Sequence, residues 1–147
     1  MQDVIATLGT IVAGDDYYTT IRFVGEMAGS VLENGLKPCA IVYYDDNDES
    51  YGDQERVQNF LNLKITLGIA ISPTWKRDMR RFCADVKRAL RKDDGARGFF
   101  AESANAFDTY IDKTTIATGA EGFPCGVAQI DVTVQYRSLY SDASVAI

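Results

Sequence analysis

Two long segments of strict alternation constrain the fold of this chain more than any other feature. In residues 60–72 every odd position is leucine or isoleucine, and residues 127–137 repeat the alternation from Ile130 to Tyr136. Because strand side chains point alternately to the two faces of a sheet, each segment has one apolar face and one polar face. The pattern is typical of strands in a sheet that is covered on one side only.

The size and composition of the chain are those of one folded domain. It has 147 residues, of which 46% are hydrophobic and 24% charged, close to the average of globular proteins. A chain of this length buries about 68–70% of its unfolded surface, so its stability requires no disulfide or metal. We expect residues 1–147 to form a single domain with a short polar C-terminal tail at about 139–147.

A second period appears in the middle of the chain, where apolar residues recur every three or four positions. This stripe is typical of an amphipathic helix lying on a sheet, and its members are Trp75, Met79, Phe82, Val86 and Leu90. Ser72 and Pro73 suit the N-cap and first positions of that helix. A shorter stripe predicts an N-terminal helix over residues 2–13, with its apolar side formed by Val4, Ile5, Leu8, Ile11 and Val12.

The remaining elements are predicted as strands. They cover residues 17–26, 39–44 and one or two segments near 109–118, in addition to the two alternating segments. The element order is then α-β-β-β-α-β-β. We therefore predict an α+β fold, in which one mixed or antiparallel sheet packs against an N-terminal helix and a central amphipathic helix.

Several classes of catalytic site are excluded by composition. The chain contains no histidine, which rules out Ser-His and Cys-His nucleophiles and imidazole zinc sites. It also lacks the glycine-rich runs that cradle nucleotide phosphates. Its three cysteines are Cys39, Cys83 and Cys125, and their number and wide spacing predict buried thiols in a reducing compartment. We expect neither an enzyme nor a cofactor, and no signal peptide or membrane span.

Acidic residues cluster in "YYDDNDESYGDQE", residues 43–55, which the sequence predicts to be a solvated hairpin loop. Calcium binding is the alternative. If Gly52 takes the glycine position of a calcium loop, however, Tyr51 and Gln58 fall where oxygen ligands are needed. The candidate interface residues in this segment are Asp45, Asp46, Asp48 and Glu49.

The central helix carries more than half of the chain's 15 basic residues, all away from its apolar stripe. One interpretation is a solvated outer face. The other is an interface, since an acidic segment and a basic helix on one subunit suit head-to-tail contacts between identical copies, and such contacts can close into rings. The candidate interface residues on this helix are Arg77, Arg80, Arg81 and Arg88.

The layout of these elements resembles that of the tail terminator, or tail completion, proteins of long-tailed bacteriophages. The resemblance covers nearly the whole chain. It rests on the N-terminal and central helices and on three segments, "KPCAIVYYDD", "NLKITLGIAIS" and "VTVQYRSLYSD".

This resemblance implies a structural virion protein. Members of the family form a hexameric ring on the head-proximal end of the tail tube, where they stop tube polymerisation and join the tail to the neck. The implied partners are further copies of the chain, the tail tube protein, a neck or head-completion protein and, in a contractile tail, the sheath protein. DNA would only pass through the lumen, which agrees with the net charge of -6. Assembly would take place in the cytoplasm of the host bacterium.

The resemblance also suggests a role for the end of the chain. The strand 127–137 would complete the sheet and bring Arg137, Tyr140 and Asp142 close to a contact with another subunit or with the tube. Two other functions remain open at this point. One is a connector subunit of the neck or head-completion complex, and the other is a small domain that binds a ligand or metal through its acidic segment.

Overall fold

A computed structural model of the chain describes residues 2–14, 16–26, 37–51, 56–90, 108–118, 125–139 and 142–146. At residues 2–3, 44–51, 56–57, 108–110, 117–118, 136–139 and 142–146 it describes the backbone alone.

Two helices and six strands make up the described part of the chain. In order they are α1 (Gln2–Leu8), β1 (Phe23–Gly25), β2 (Cys39–Tyr51), β3 (Arg56–Ala70), α2 (Trp75–Leu90), β4 (Asp108–Thr118), β5 (Cys125–Leu139) and β6 (Asp142–Ala146).

All six strands belong to one mixed sheet. Its order is β1-β2-β3-β5-β4, and β6 pairs with β5 outside this path. β1 runs parallel to β2, whereas the other pairs are antiparallel. The predicted α+β class and the order α-β-β-β-α-β-β are confirmed, with β6 as an added element.

The two alternating segments of the sequence are neighbours at the centre of this sheet. Along the ladder between β3 and β5, Leu63 faces Val132 and Ile65 faces Ile130. All four side chains are buried. The odd positions of β3 and the even positions of β5 therefore share the face that the helices cover, because directly opposed residues lie on the same side of a sheet.

The helices pack on this apolar face. Met79, Phe82, Val86 and Leu90 of α2 are fully buried and join one core cluster with the β3 and β5 residues. Burial of a side chain as large as Phe82 contributes about 1.5–3 kcal/mol to folding. α1 adds residues such as Leu8, which is also fully buried. The predicted stripe of α2 is thus confirmed, with Trp75 half-buried at its beginning.

The N-terminal segment differs from its prediction. α1 ends at Leu8, not at residue 13, and Val12 is 58% exposed. After the helix the chain folds back on itself, since the backbone N–H of Ile21 donates to the carbonyl of Ile11 at 3.1 Å. The segment expected to be a strand over 17–26 is irregular as far as Arg22, and only Phe23–Gly25 pairs with β2.

The acidic segment is also different from expectation. β2 continues to Tyr51 and pairs with β3 along its whole length, so residues predicted to form a loop lie on a strand. A bulge between Tyr44 and Asp46 shifts the register at this point. An extra residue in one strand changes which positions share a face, and this explains why simple alternation in the sequence ends near Tyr44.

Two further corrections concern the C-terminal half of the chain. β5, which was expected to complete the sheet, lies inside it, between β3 and β4. The predicted polar tail contains β6, in which Ala146 pairs with Ser138 and Asp142 pairs with Leu139. The strand predicted near 109–118 is confirmed as β4, Asp108–Thr118.

Candidate functional site

The charged residues singled out by the sequence lie toward opposite ends of the sheet. β2 leads to the hairpin with β3, and β3 returns along the sheet to the beginning of α2. The acidic residues lie in the hairpin half of β2, opposite residues 59–62 of β3, whereas the basic residues begin where β3 has ended. With 15 residues, β3 spans about 50 Å at about 3.3 Å per residue. The molecule therefore has an acidic end and a basic end.

The acidic end is defined by four residues of β2, Asp45, Asp46, Asp48 and Glu49. By backbone register, Asp46 lies opposite Asn62, Asp48 opposite Phe60 and Glu49 opposite Asn59. α2 has 16 residues and is about 24 Å long at 1.5 Å per residue. Because the helix is about half as long as β3, this end of the sheet extends past the helix that begins at the other end.

The basic end is defined by Lys76, Arg77 and Arg80, all exposed at the beginning of α2. The side chain of Arg77 is 61% exposed and its Nε lies 3.4 Å from Oδ1 of the neighbouring Asp78. An ion pair with this exposure contributes little to stability. All three cations thus remain largely in solvent, where they are available to a partner.

The other two arginines predicted to form an interface make contacts within the chain. The guanidinium of Arg81 lies 5.2 Å from the ring centroid of Tyr18, within cation-π range. Arg88 donates a hydrogen bond to the carbonyl oxygen of Asp16. Both contacts hold the segment after α1 against α2. All four arginines are exposed, but only Arg81 and Arg88 also contact the segment after α1.

A cleft of about 850 Å³ opens at the basic end. Its wall contains the exposed side chain of Ile71 and the half-buried ring of Trp75, with Nζ of Lys76 at 5.8 Å from the ring centroid. The lining residues are Ile71, Ser72, Pro73, Thr74, Trp75, Lys76, Arg77 and Arg80. Tryptophan and arginine are the residues that most often dominate binding energy at protein interfaces.

Trp75 owes its position to a glycine on β5. A Cβ at Gly126 would lie 2.5 Å from Cε3 of Trp75, closer than atoms can approach. Only a residue without a side chain leaves room for the indole on this part of the sheet. Gly126 therefore sets the depth of the ring in the cleft wall.

A smaller cleft of about 330 Å³ lies beside the first one. It is lined by Tyr18, Thr19, Thr20, Arg22, Pro38, Ile69, Asp78 and Arg81. Asp78 accepts a hydrogen bond from the hydroxyl of Thr74 at 2.9 Å, so the carboxylate in this cleft is already engaged.

Asp85 is an important residue that the sequence interpretation overlooked. Its side chain is buried, and its carboxylate accepts hydrogen bonds from the backbone N–H of Tyr18, at 3.1 and 3.0 Å, and of Thr19, at 2.8 Å. A signal was present in the sequence. Asp85 lies three residues after Phe82 and one before Val86, which places an acid on the apolar side of a helix. Such an acid requires polar partners.

The C-terminal candidates are only partly described. Arg137 lies within β5, opposite Gln58, and not beyond the end of the strand. Asp142 pairs with Leu139 in β6. Tyr140 lies outside the described residues, as do Arg91 and Lys92. By backbone position, Arg137 and Asp142 belong to the acidic end of the sheet and not to the cleft.

The face of the sheet opposite the helices is polar at its centre. One row across β3, β5 and β4 consists of Lys64, Asp131 and Lys113. Asp131 also accepts a hydrogen bond from the side-chain amide of Gln129 at 2.9 Å. Cations and an anion thus alternate along the row, so this part of the face has charge of both signs.

The three cysteines are free and buried, as the sequence predicts. Burial raises the pKa of the Cys39 thiol, and burial likewise raises the pKa of Cys83. A raised pKa keeps a thiol protonated and unreactive. These residues therefore behave as small apolar side chains.

No metal site is found among the side chains that the structure describes, since no three cysteine, aspartate or glutamate side chains lie together there. Neither α1 nor α2 has the length and apolar character that a membrane-spanning helix needs.

A scan against models of protein families finds no match, and a search of curated proteins finds no match either.

Proposed function

We propose that this protein is a structural subunit of a ring that caps the head-proximal end of a bacteriophage tail tube. In this role it stops polymerisation of the tube and joins the tail to the neck. Its partners are further copies of the chain, the tail tube protein and a neck or head-completion protein, with the sheath protein added in a contractile tail. The site of action is the virion, after assembly in the bacterial cytoplasm.

The observation that carries this proposal is a long sheet that has helices on one face and a row of charged residues at the centre of the other face. A ring subunit needs a rigid wall that can line a water-filled lumen, and a sheet backed by helices supplies one. The row formed by Lys64, Asp131 and Lys113 has charge of both signs. Such a surface offers passing DNA no continuous band of cations to which phosphates would adhere.

The distribution of charge further supports a ring. The acidic cluster of β2 and the basic cluster at the beginning of α2 lie on different parts of one subunit, so a contact between these clusters would join unlike surfaces of two copies. Contacts of this heterologous kind form closed rings when the rotation between neighbours permits.

The test is negative-stain imaging of the purified protein, alone and mixed with polymerised tail tubes from the same source. We expect rings about as wide as a tube, or tubes with capped ends that no longer elongate when free tube protein is added.

Two other outcomes would each support a different function. If the tubes elongate without change and the protein binds purified neck or portal assemblies, the connector function replaces the one proposed. If the protein remains monomeric in every mixture and its melting temperature rises with calcium or magnesium, the ligand-binding function takes its place.

A further inference from the structure

The proposed function requires a contact between neighbouring copies but does not say which surfaces of the two copies meet. We propose that the acidic end of one copy docks into the cleft at the basic end of the next copy, beside Trp75. This inference rests on the proposed ring, since it names the interface through which the ring would close.

The edges of the sheet argue against the simplest alternative, in which copies join strand to strand. Within the described residues, β1 covers β2 only from Cys39 to Ile41, and β4 is the other outer strand. β2 and β4 both carry bulges, β2 between Tyr44 and Asp46 and β4 between Ile111 and Lys113. Bulges on outer strands twist the edge and disfavour the addition of another strand.

The ends of the sheet offer complementary partners instead. At one end, Lys76, Arg77 and Arg80 surround an open cleft with an indole in its wall. At the other end, four carboxylate residues occur within five positions of β2, Asp45–Glu49. Opposite charges on two parts of the same molecule favour a head-to-tail contact between copies over a contact between like parts.

The dimensions allow the two ends to meet. β3 is about 50 Å long and α2 about 24 Å, and the acidic residues lie in the half of the β2–β3 ladder that leads to the hairpin. The cleft of about 850 Å³ is of the size that accommodates several side chains. In this proposal the acidic end of a second copy of the chain therefore occupies the cleft.

Trp75 provides a reporter inside the proposed contact. It is the only tryptophan in the sequence and is half-buried in the cleft wall. Entry of a second copy would remove water from the indole, so association should shift its emission to shorter wavelength. The shift should disappear on raising the salt concentration from about 50 to 500 mM, because salt screens exposed charges.

Two neutralised variants test the contact from either side. Arg77→Gln with Arg80→Gln changes the basic end, and Asp46→Asn with Asp48→Asn changes the acidic end. We expect each variant to weaken self-association by at least about tenfold in sedimentation velocity at low salt. The control, Lys87→Gln with Lys113→Gln, removes the same charge as the first variant outside the cleft and should associate like the original protein.

Mixing gives the sharpest result. Each neutralised variant keeps one intact end, so an equimolar mixture should form a one-to-one dimer and nothing larger. Trp75 should respond only in the copy that carries the intact basic end. The inference is overturned if the original protein stays monomeric up to about millimolar concentration at low salt. It is equally overturned if both variants assemble normally, or if assembly leaves the emission of Trp75 unchanged.

The outcomes separate this inference from the proposed function. Copies that associate through the two ends but leave tail tubes uncapped would remove the proposed function and keep the contact. Tubes capped equally well by the original protein and by both neutralised variants would keep the proposed function and remove the contact.

Discussion

At the scale of single residues, the most consequential side chain is a buried acid. Asp85 joins α2 to the segment after α1 through hydrogen bonds to two successive backbone N–H groups, those of Tyr18 and Thr19. Arg81 and Arg88 add contacts with the same segment. One helix therefore both covers the sheet and fixes the path of the N-terminal segment.

We expect Asp85→Asn to destabilise the protein by about 1.5–3 kcal/mol, because it removes charge-assisted hydrogen bonds at a buried position. The variant also brings amide donors close to N–H donors. Urea unfolding at neutral pH measures the change. Asp78→Asn is the matched control on the same helix, since Asp78 is partly exposed, and it should cost less than about 1 kcal/mol. Equal losses in the two variants would contradict the role given to Asp85.

A second residue-scale prediction concerns Gly126. Replacement by alanine places a methyl group 2.5 Å from Cε3 of Trp75, so either the ring or the strand must move. We expect a loss of about 1–3 kcal/mol, as for other overpacked sites, together with a change in Trp75 fluorescence.

The control for this variant is Gly14→Ala, where a Cβ would come no closer than 4.0 Å to the carbonyl oxygen of Val12. In the background of Trp75→Ala, the penalty for Gly126→Ala should largely vanish, because the clash has been removed. A penalty that persists in that background would show that the indole is not its cause.

At the scale of elements, α2 begins two residues later than the sequence predicts. Ser72 and Pro73 have suitable residue types for a helix start, but the first helical hydrogen bond runs from the N–H of Asp78 to the carbonyl of Thr74 at 3.0 Å. The hydroxyl of Thr74 also donates to the carboxylate of Asp78. Thr74 is therefore the N-cap.

We expect Thr74→Ala to cost about 0.5–1 kcal/mol, in the range of N-cap substitutions. Ser72→Ala should cost less, since its hydroxyl accepts only a long hydrogen bond of 3.3 Å from the N–H of Thr74. Thermal unfolding of the two variants side by side measures the difference. If Ser72→Ala proves the more harmful, the helix begins where the sequence alone predicts.

At the scale of the whole molecule, stability should be greatest at the centre of the sheet. Residues 63–67 of β3 pair with strands on both sides, β2 and β5. Their alternate side chains are buried beneath the helices. β1, in contrast, has three residues and pairs with one neighbour. Regions with few buried contacts open at low free-energy cost.

Native-state hydrogen exchange tests this gradient. We expect the amides of residues 63–67 and 128–132 to exchange only through global unfolding, and those of Phe23–Gly25 at least about 100-fold faster. Comparable protection in β1 and β3 would mean that the sheet opens as one unit and would contradict the expected gradient.

The charge distribution is also a property of the whole molecule. The acidic residues of β2 and the basic residues of α2 are separated in the sequence by the whole of β3. Their placement toward opposite ends follows from the antiparallel turn between β2 and β3 and from the position of α2 directly after β3. As a result, the two oppositely charged segments are apart in the folded molecule as well as in the sequence.

The sequence by itself determined the elements whose residues carry their own period. The alternation in β3 and β5 and the apolar stripe of α2 were sufficient to predict these elements, their buried faces and the α+β class. The reason is that burial of one face imposes the same spacing on every residue of an element.

Only the tertiary structure decided what depends on contacts between distant segments. The pairing of β3 with β5, the extension of β2 through the acidic residues and the strand within the C-terminal tail all depend on partners far away in the chain. The same holds for Asp85, whose partners are more than sixty residues away. Local patterns contain no information on such partners, because hydrogen bonds and packing between distant segments form only when the chain has folded.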